Sequence, residues 1–281
     1  MLINLVHLKY LSLTYQMKTI SLILLFFACT CAKTQNFQLI REYNLTAQPI
    51  AFSVDPLGSV YVVFENGSLV KYDSRGTQFS FSGRKSNSST WQIDASNPYK
   101  IIVFNRDLQI ADIYNAQFSK INSIDFSVLE TNDIALMCSS YDNAFWTLSY
   151  LNMELIRFSE QLSIILKTNT SLIADLKSFS PSILHESGTN LLLAQKNGQA
   201  FVFDMYGNIR IKMSEKADCW SLDKDVLYCV HSDSIKAYHI VLHENTTVLT
   251  ELKNADDFIV VLPWIAVLSD KRILLYKKYN R

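Results

Sequence analysis

The chain has 281 residues, 49% of them hydrophobic and 19% charged, with 26 basic residues against 26 acidic ones. That apolar content supports a sizeable core and excludes the low-hydrophobicity, high-charge signature of a disordered chain. A net charge of zero, without a basic cluster or an acidic tail, removes the field that would draw nucleic acid, so no nucleic-acid partner is expected.

The first informative stretch begins at Met17. Met17-Lys18-Thr19 precedes an apolar run from Ile20 to Ala28 and a small, polar stretch from Cys29 to Gln35. One lysine, about nine apolar residues and a small-residue exit are the parts of a secretory signal peptide. Residues 1–35 are therefore read as an N-terminal extension and signal peptide, with Met17 the real start, and 36–281 as the folded domain. The alternative, a single membrane anchor over 1–28, is interrupted by Lys9, Gln16 and Lys18. A bilayer-spanning helix needs about 20 apolar residues. Neither this run nor any later segment reaches that length, so no transmembrane helix is expected in the mature chain.

Export places the protein in the periplasm or cell envelope, or outside the cell as a secreted protein. Residues 36–281 carry 23 basic and 26 acidic side chains, a net charge of −3. Cys29 or Cys31 is a candidate for a lipid anchor at the end of the signal, although Phe26-Phe27-Ala28 is a weak approach to Cys29. Of the remaining cysteines, Cys219 and Cys229 fall ten residues apart in neighbouring expected strands. An exported chain can bridge them; burial of Cys138, Cys219 and Cys229 as small apolar residues is the alternative. No C-x-x-C supports a structural zinc.

Beyond residue 36 the sequence breaks into short apolar runs divided by turn residues. Only Leu162 to Leu176 carries a trace of helical periodicity. The clearest unit is Ile50 to Gly76: a strand entering Asp55-Pro56-Leu57-Gly58, then Ser59 to Phe64, the turn Glu65-Asn66-Gly67, then Ser68 to Asp73 and a turn at Ser74-Arg75-Gly76. Asn-Gly between two alternating runs is a strong local hairpin signal. Val60, Val62 and Phe64 share one face, and Leu69 and Lys71 oppose Val70 and Tyr72.

The unit recurs. Its second hairpin arm ends on an aromatic at Tyr72, and comparable arms end at Tyr114, Phe158, Phe203, Tyr238 and Tyr276, at intervals of 42, 44, 45, 35 and 38 residues. First arms recur at Ile101–Phe104, Phe145–Leu148, Leu191–Ala194, Leu227–Val230 and Ile265–Leu268. Strand repeats of this period are the mark of propeller blades. Six repeats of about 41 residues fill 36–281, and five or seven blades remain open if 115–180 is divided differently. The last repeat offers three strands, and the orphan segment Phe37–Tyr43 is expected to complete it, which removes two open sheet edges. The expected fold is all-β, a single β-propeller with an N-terminal strand closing the last blade.

Val54-Asp-Pro-Leu-Gly-Ser-Val-Tyr-Val-Val, Leu69-Val-Lys-Tyr-Asp-Ser-Arg-Gly and Phe201-Val-Phe-Asp-Met-Tyr-Gly resemble the D-x-x-G-x-h-Y-V … L-x-K-Y-D-x-x-G pattern of NHL-like propellers. With Ile93-Asp-Ala-Ser-Asn-Pro, Asp142-Asn-Ala-Phe-Trp and Val202-Phe-Asp, the order of segments is similar to that of uncharacterised exported propellers of Bacteroidetes. Two blades match well and the others in rhythm. The chain has only 7 Gly, where the pattern places one in nearly every turn. The resemblance implies a fold and a compartment, and it brings no catalytic residues.

Nothing in the sequence assembles a reaction centre. The four histidines outside the leader are His185, His231, His239 and His243. His239 and His243 have the i, i+4 spacing of helical metal ligands, but Ile235 to Leu242 reads as a strand, which would hold them roughly 13 Å apart. There is no G-x-S-x-G and no phosphate-binding glycine motif. Asp256-Asp257, and Asp223 with Asp225, read as turn caps at strand starts. Asp55, Asp94, Asp142 and Asp223 recur at blade starts, either as turn caps or as a rim that binds a cation. Trp91, Tyr99, Tyr141, Trp146, Trp220 and Trp264 are read mainly as blade packing, with a ligand platform as the alternative. The sequons at Asn44, Asn66, Asn87, Asn169 and Asn245 matter only in a eukaryotic secretory pathway.

No catalytic residue, cofactor site or metal site is assigned. The expected function is a non-enzymatic module recognising an envelope protein or a small ligand. The rivals are a metal-dependent hydrolase or lactonase at the channel mouth, and a structural subunit of an envelope complex.

Overall fold

A computed structural model describes residues 37–83, 88–129, 133–170, 179–250, 252 and 255–279. The leader, with Cys29 and Cys31, lies outside the described residues. Strand β1 is Phe37–Asn44. Blade 1 is β2 (Pro49–Val54), β3 (Val60–Phe64), β4 (Ser68–Tyr72) and β5 (Gln78–Ser82); blade 2 is β6 (Trp91–Asp94), β7 (Ile101–Asn105), β8 (Ile110–Tyr114) and β9 (Lys120–Asp125). Blade 3 is β10 (Ile134–Ser139), β11 (Phe145–Ser149), β12 (Glu154–Phe158) and β13 (Ile164–Asn169). Blade 4 is β14 (Ile183–Ser187), β15 (Asn190–Ala194), β16 (Gly198–Asp204) and β17 (Ile209–Ala217). Blade 5 is β18 (Cys219–Asp223), β19 (Val226–His231), β20 (Ser234–His239) and β21 (Glu244–Leu249). Blade 6 is β22 (Asp257–Val261), β23 (Trp264–Ser269) and β24 (Arg272–Lys278), completed by β1. The protein is an all-β, six-bladed β-propeller, and β1 closes the last blade by antiparallel pairing from Phe37 opposite Lys278 to Asn44 opposite Arg272.

Each blade buries both faces, which is why its second strand reads as an unbroken apolar run rather than an alternating one. On β3, Val60, Val62 and Phe64 pack toward blade 6 beside Ala266 and Leu268, while Tyr61 and Val63 pack toward blade 2 beside Ile101 and Val103. A separate apolar cluster fills each of the six blade interfaces. At about 1.5–3 kcal/mol for each fully buried large apolar side chain, these seams dominate the stability of the ring.

Two local rules hold the blades in register. In blades 1 to 5 the residue after the aromatic near the end of the third strand caps the following turn. Asp73 Oδ1 accepts the NH groups of Arg75 (3.0 Å) and Thr77 (2.8 Å), and Asp204 Oδ1 those of Tyr206 (2.9 Å) and Asn208 (2.8 Å). Asn115 and Ser159 do the same in blades 2 and 3. The residue before the inner strand caps the turn between the second and third strands. Examples are Asp133 to Leu151 NH (2.7 Å), Ser182 to Lys196 NH (3.0 Å), Asp218 to Ser232 NH (3.2 Å) and Asp256 to Asp270 NH (2.7 Å).

Two expectations are corrected, and the cysteines follow one of the two alternatives. The helical trace at Leu162–Leu176 is strand β13 over Ile164–Asn169; residues 171–178 lie outside the described residues. The strand holding His239 ends there, and His243 sits in the following turn with φ +56°, so the strand-spacing argument does not apply to the pair. Cys219 and Cys229 are both free. Cys219 is paired across the ladder with Val230 and Cys229 with Trp220, so strand alternation puts the two thiols on opposite faces of blade 5.

Candidate functional site

The six inner strands, β2, β6, β10, β14, β18 and β22, surround a central channel with a cavity of about 200 Å³. Half-buried Ile50, Ile93, Ile183 and Ile259 line it, together with Met137, Gln92, Asp94, His185 and Asp257. Larger clefts open between the outer strands of neighbouring blades. One of about 380 Å³ between blades 4 and 5 is lined by Cys229, His231, Lys236 and Tyr238, and one of about 440 Å³ between blades 1 and 2 by Phe81, Asp112, Phe118 and Lys120.

Antiparallel alternation puts the inner-strand turns of all six blades at one end of the channel, and there they are clasped together. Ser53 Oγ accepts Ala95 NH (3.1 Å) between blades 1 and 2, and Asp94 Oδ2 accepts Ser139 NH (2.7 Å) between blades 2 and 3. Glu186 accepts Ser140 Oγ–H (2.7 Å), Tyr141 NH (3.0 Å) and the Trp146 indole NH between blades 3 and 4. Ser187 Oγ accepts Lys224 NH (2.8 Å) between blades 4 and 5, and Ser221 Oγ accepts Val260 NH (2.9 Å) between blades 5 and 6. Trp264 Nε1 donates to Pro56 O (3.3 Å), linking blade 6 to blade 1. Gly58, at φ +85°, lies so close to this indole that a Cβ there would stand 2.6 Å from the ring.

Asp55, Asp94, Asp142, Asp223 and Asp225 stand at that end, and all but Asp142 are engaged in bonds within or between blades. Asp55 accepts Leu57 NH (2.9 Å), Ser59 NH (2.8 Å) and the Tyr61 hydroxyl (2.9 Å). Asp94 accepts Ser96 NH (2.8 Å) with its other oxygen. Asp223 accepts the Leu262 NH, and burial pushes its carboxyl above the usual carboxylate range. Asp142 occupies an exposed turn at φ +57°. Asp225 accepts the Asn190 side-chain amide (2.9 Å).

At the opposite end, Asp257 Oδ1 accepts the Cys219 thiol (2.6 Å) and Phe258 NH (2.8 Å), and burial raises its carboxyl above the usual range. Gln92 bonds both Ala135 O (2.8 Å) and Met137 NH (3.1 Å). His185 has no hydrogen-bond partner among the described residues. His239 Nδ1 accepts the NH groups of Val241 and Leu242 (3.3 Å each), and His243 Nδ1 meets the Tyr238 hydroxyl. Among the described residues, no three His, Cys, Asp or Glu side chains form a group able to hold a metal ion.

Of the aromatics considered as platforms, Trp146 and Trp220 are buried in blade seams, and Trp91 is also buried. Tyr99 is 71% exposed, and Tyr141 lies 3.9 Å under the Arg157 guanidinium. Asn44, Asn66, Asn169 and Asn245 are exposed; Asn87 lies outside the described residues. The rim clasp itself escaped sequence reading, because Ser53, Asp94, Glu186 and Ser221 follow no single residue type and meet partners some 40 residues away.

No protein-family model and no curated sequence matches the chain. Solved structures do. Virginiamycin B lyase from Staphylococcus aureus superimposes with a TM-score of 0.57 at 12% identity, over 88% of this chain and 90% of that one. A chain of the mitotic checkpoint complex gives 0.62 at 8% identity, over 89% and 94%. The WD40 domain of Neurospora crassa Pan2 gives 0.56 at 9% identity, over 88% and 97%. The chain shares their β-propeller fold. At these identities the likeness is one of fold alone. Among the described residues, no helix is long and apolar enough to cross a membrane.

Proposed function

We propose that this chain is an exported, non-enzymatic propeller that serves as a recognition module for an envelope protein or a small ligand, of the kind found among NHL-like exported propellers of Bacteroidetes. The observation that carries the reading is the use made of the polar side chains along the channel. Ser53, Gln92, Asp94, Ser221 and Asp257 each bond a neighbouring blade, so they hold the ring together rather than converge on a reacting atom. The leader pattern at Met17–Gln35 supports export. A lyase and WD40 domains share this fold, so fold does not decide between an enzyme and a recognition module.

Two measurements test the proposal. A C-terminally tagged chain is expected in the envelope or periplasmic fraction with its N-terminus removed near residue 35; an intact N-terminus in the cytoplasm would overturn export. Incubation with lactones and glycosides is expected to give no turnover with or without added calcium. Turnover abolished by a chelator would favour the hydrolase instead.

A further inference from the structure

We infer that the central channel binds a small amphipathic amine, its apolar body against the isoleucines and its ammonium group at Asp257. The inference rests on the recognition reading above and gives it a ligand class.

Size comes first. At about 200 Å³, the cavity lies below the roughly 300–1,000 Å³ of sites for drug-sized ligands, so its occupant is small. Wall chemistry comes second. Ile50, Ile93, Ile183 and Ile259 come from four different inner strands and are only half-buried, so each presents apolar surface to the channel that a ligand can cover.

Charge decides the rest. The ionisable residues lining the cavity are Asp94, His185 and Asp257, and none is a lysine or arginine. Both oxygens of Asp94 are bonded to backbone NH groups. Asp257 differs: its two bonds fall on Oδ1, and Oδ2 has none among the described residues. It stands at the end where the chain enters each blade. The residues just before the inner strands there are Gln48, Thr90, Asp133, Ser182, Asp218 and Asp256, three acids and no base. Lys196, in the turn between β15 and β16, offsets part of this field at Asp257. Asp133, Asp218 and Asp256 cap turns between second and third strands and do not line the cavity, so they favour a cation only at longer range, and Asp257 is the acid a ligand meets. An ammonium donating to Asp257 Oδ2 makes a charge-assisted bond, and His185 offers a second acceptor further along the wall.

The test uses the full chain and three probes of one shape: 2-phenylethylamine, 2-phenylethanol and phenylacetate. Binding is read by calorimetry and by the fluorescence of Trp91 and Trp220, which border the cavity. The amine is expected to bind saturably, about tenfold more tightly than the alcohol, and phenylacetate not at all. Asp257→Asn should bring the amine down to the level of the alcohol. Ile183→Trp should abolish binding of both, with the thermal transition confirming that each variant is folded. Absence of amine binding, equal binding of acid and amine, or amine binding that survives Ile183→Trp would each overturn the proposal. If Asp257→Asn does not fold, the probe series on the unmodified chain still decides it. Partner recognition on the outer surface would be unaffected by these results, so failure here leaves the broader reading to its own tests.

Discussion

The carboxylate of Asp94 reaches out of blade 2 and accepts the backbone NH of Ser139 in blade 3 at 2.7 Å, while its other oxygen accepts Ser96 NH at 2.8 Å. Asp94 is 8% exposed, so both donors depend on it. Leaving a buried donor unpaired costs about 1–3 kcal/mol. Asp94→Ala should therefore destabilise the fold by about 2–4 kcal/mol in urea unfolding. Asp94→Asn, which keeps one acceptor oxygen, should lose less.

Cys219 and Cys229 point to opposite faces of blade 5, and the Cys219 thiol is engaged with Asp257. No bridge can join them without turning one strand over. Dithiothreitol is expected to leave the melting temperature unchanged, and alkylation of unfolded, unreduced protein should label both thiols. A peptide linked through these two residues would contradict the register.

Turn strain offers a stabilising change. Glycine is scarce, yet eleven non-glycine residues among those described have positive φ, including Lys224, Ser232 and Asp270. Left-handed backbone disfavours an L side chain by roughly 1–2 kcal/mol. Ser232 sits at φ +55° in an exposed turn, and its interaction with Asp218 runs through its backbone NH. Ser232→Gly keeps that bond, relieves the strain and should raise stability by about 0.5–1 kcal/mol, a gain reduced by the added freedom of the unfolded chain.

Stability should vary with alkaline pH in two opposed ways. Burial lowers the Lys100 ammonium to about 8, with Glu160 and Asp94 acting in the other direction. An unfolded lysine titrates near about 10.4. Between these values the unfolded chain binds the extra proton, so stability rises with pH. Burial, reinforced by Asp55 at Tyr61 and by Asp223 at Tyr228, raises both phenols well above the ordinary tyrosine value. Their contribution is full below about pH 10 and is lost as pH climbs further. Unfolding curves from pH 7 to 11 should show a gain above pH 8 that turns over near pH 10, and Lys100→Met should remove the gain alone.

The blade rhythm was legible because its main marker, an aromatic ending each third strand, is set by the seam it fills: Tyr72, Tyr114, Phe158 and Phe203 are all buried. Closure by Phe37–Tyr43 could be read because the last repeat was one strand short. The residue after each aromatic was harder to see, since Asp73, Asn115, Ser159, Asp204 and His239 cap equivalent turns with four different kinds of side chain. Glycine counting misled for the same reason, because residues such as Asn143 and Asn197 take the left-handed positions. The channel was not legible at all. Its half-buried isoleucines look like any other strand residue, and Asp257 becomes distinctive only when β18 brings Cys219 beside it.

The most direct test of the central claim, a clasped recognition propeller without a reaction centre, is a high-resolution crystal structure of the protein with anomalous scattering used to locate bound ions. The account predicts six blades, β1 paired to β24, Asp94 and Asp223 bonded across to the next blade, and no metal ion held by side chains in the channel. A metal ion held there by three converging side chains would contradict it and would name the residues of a hydrolytic site.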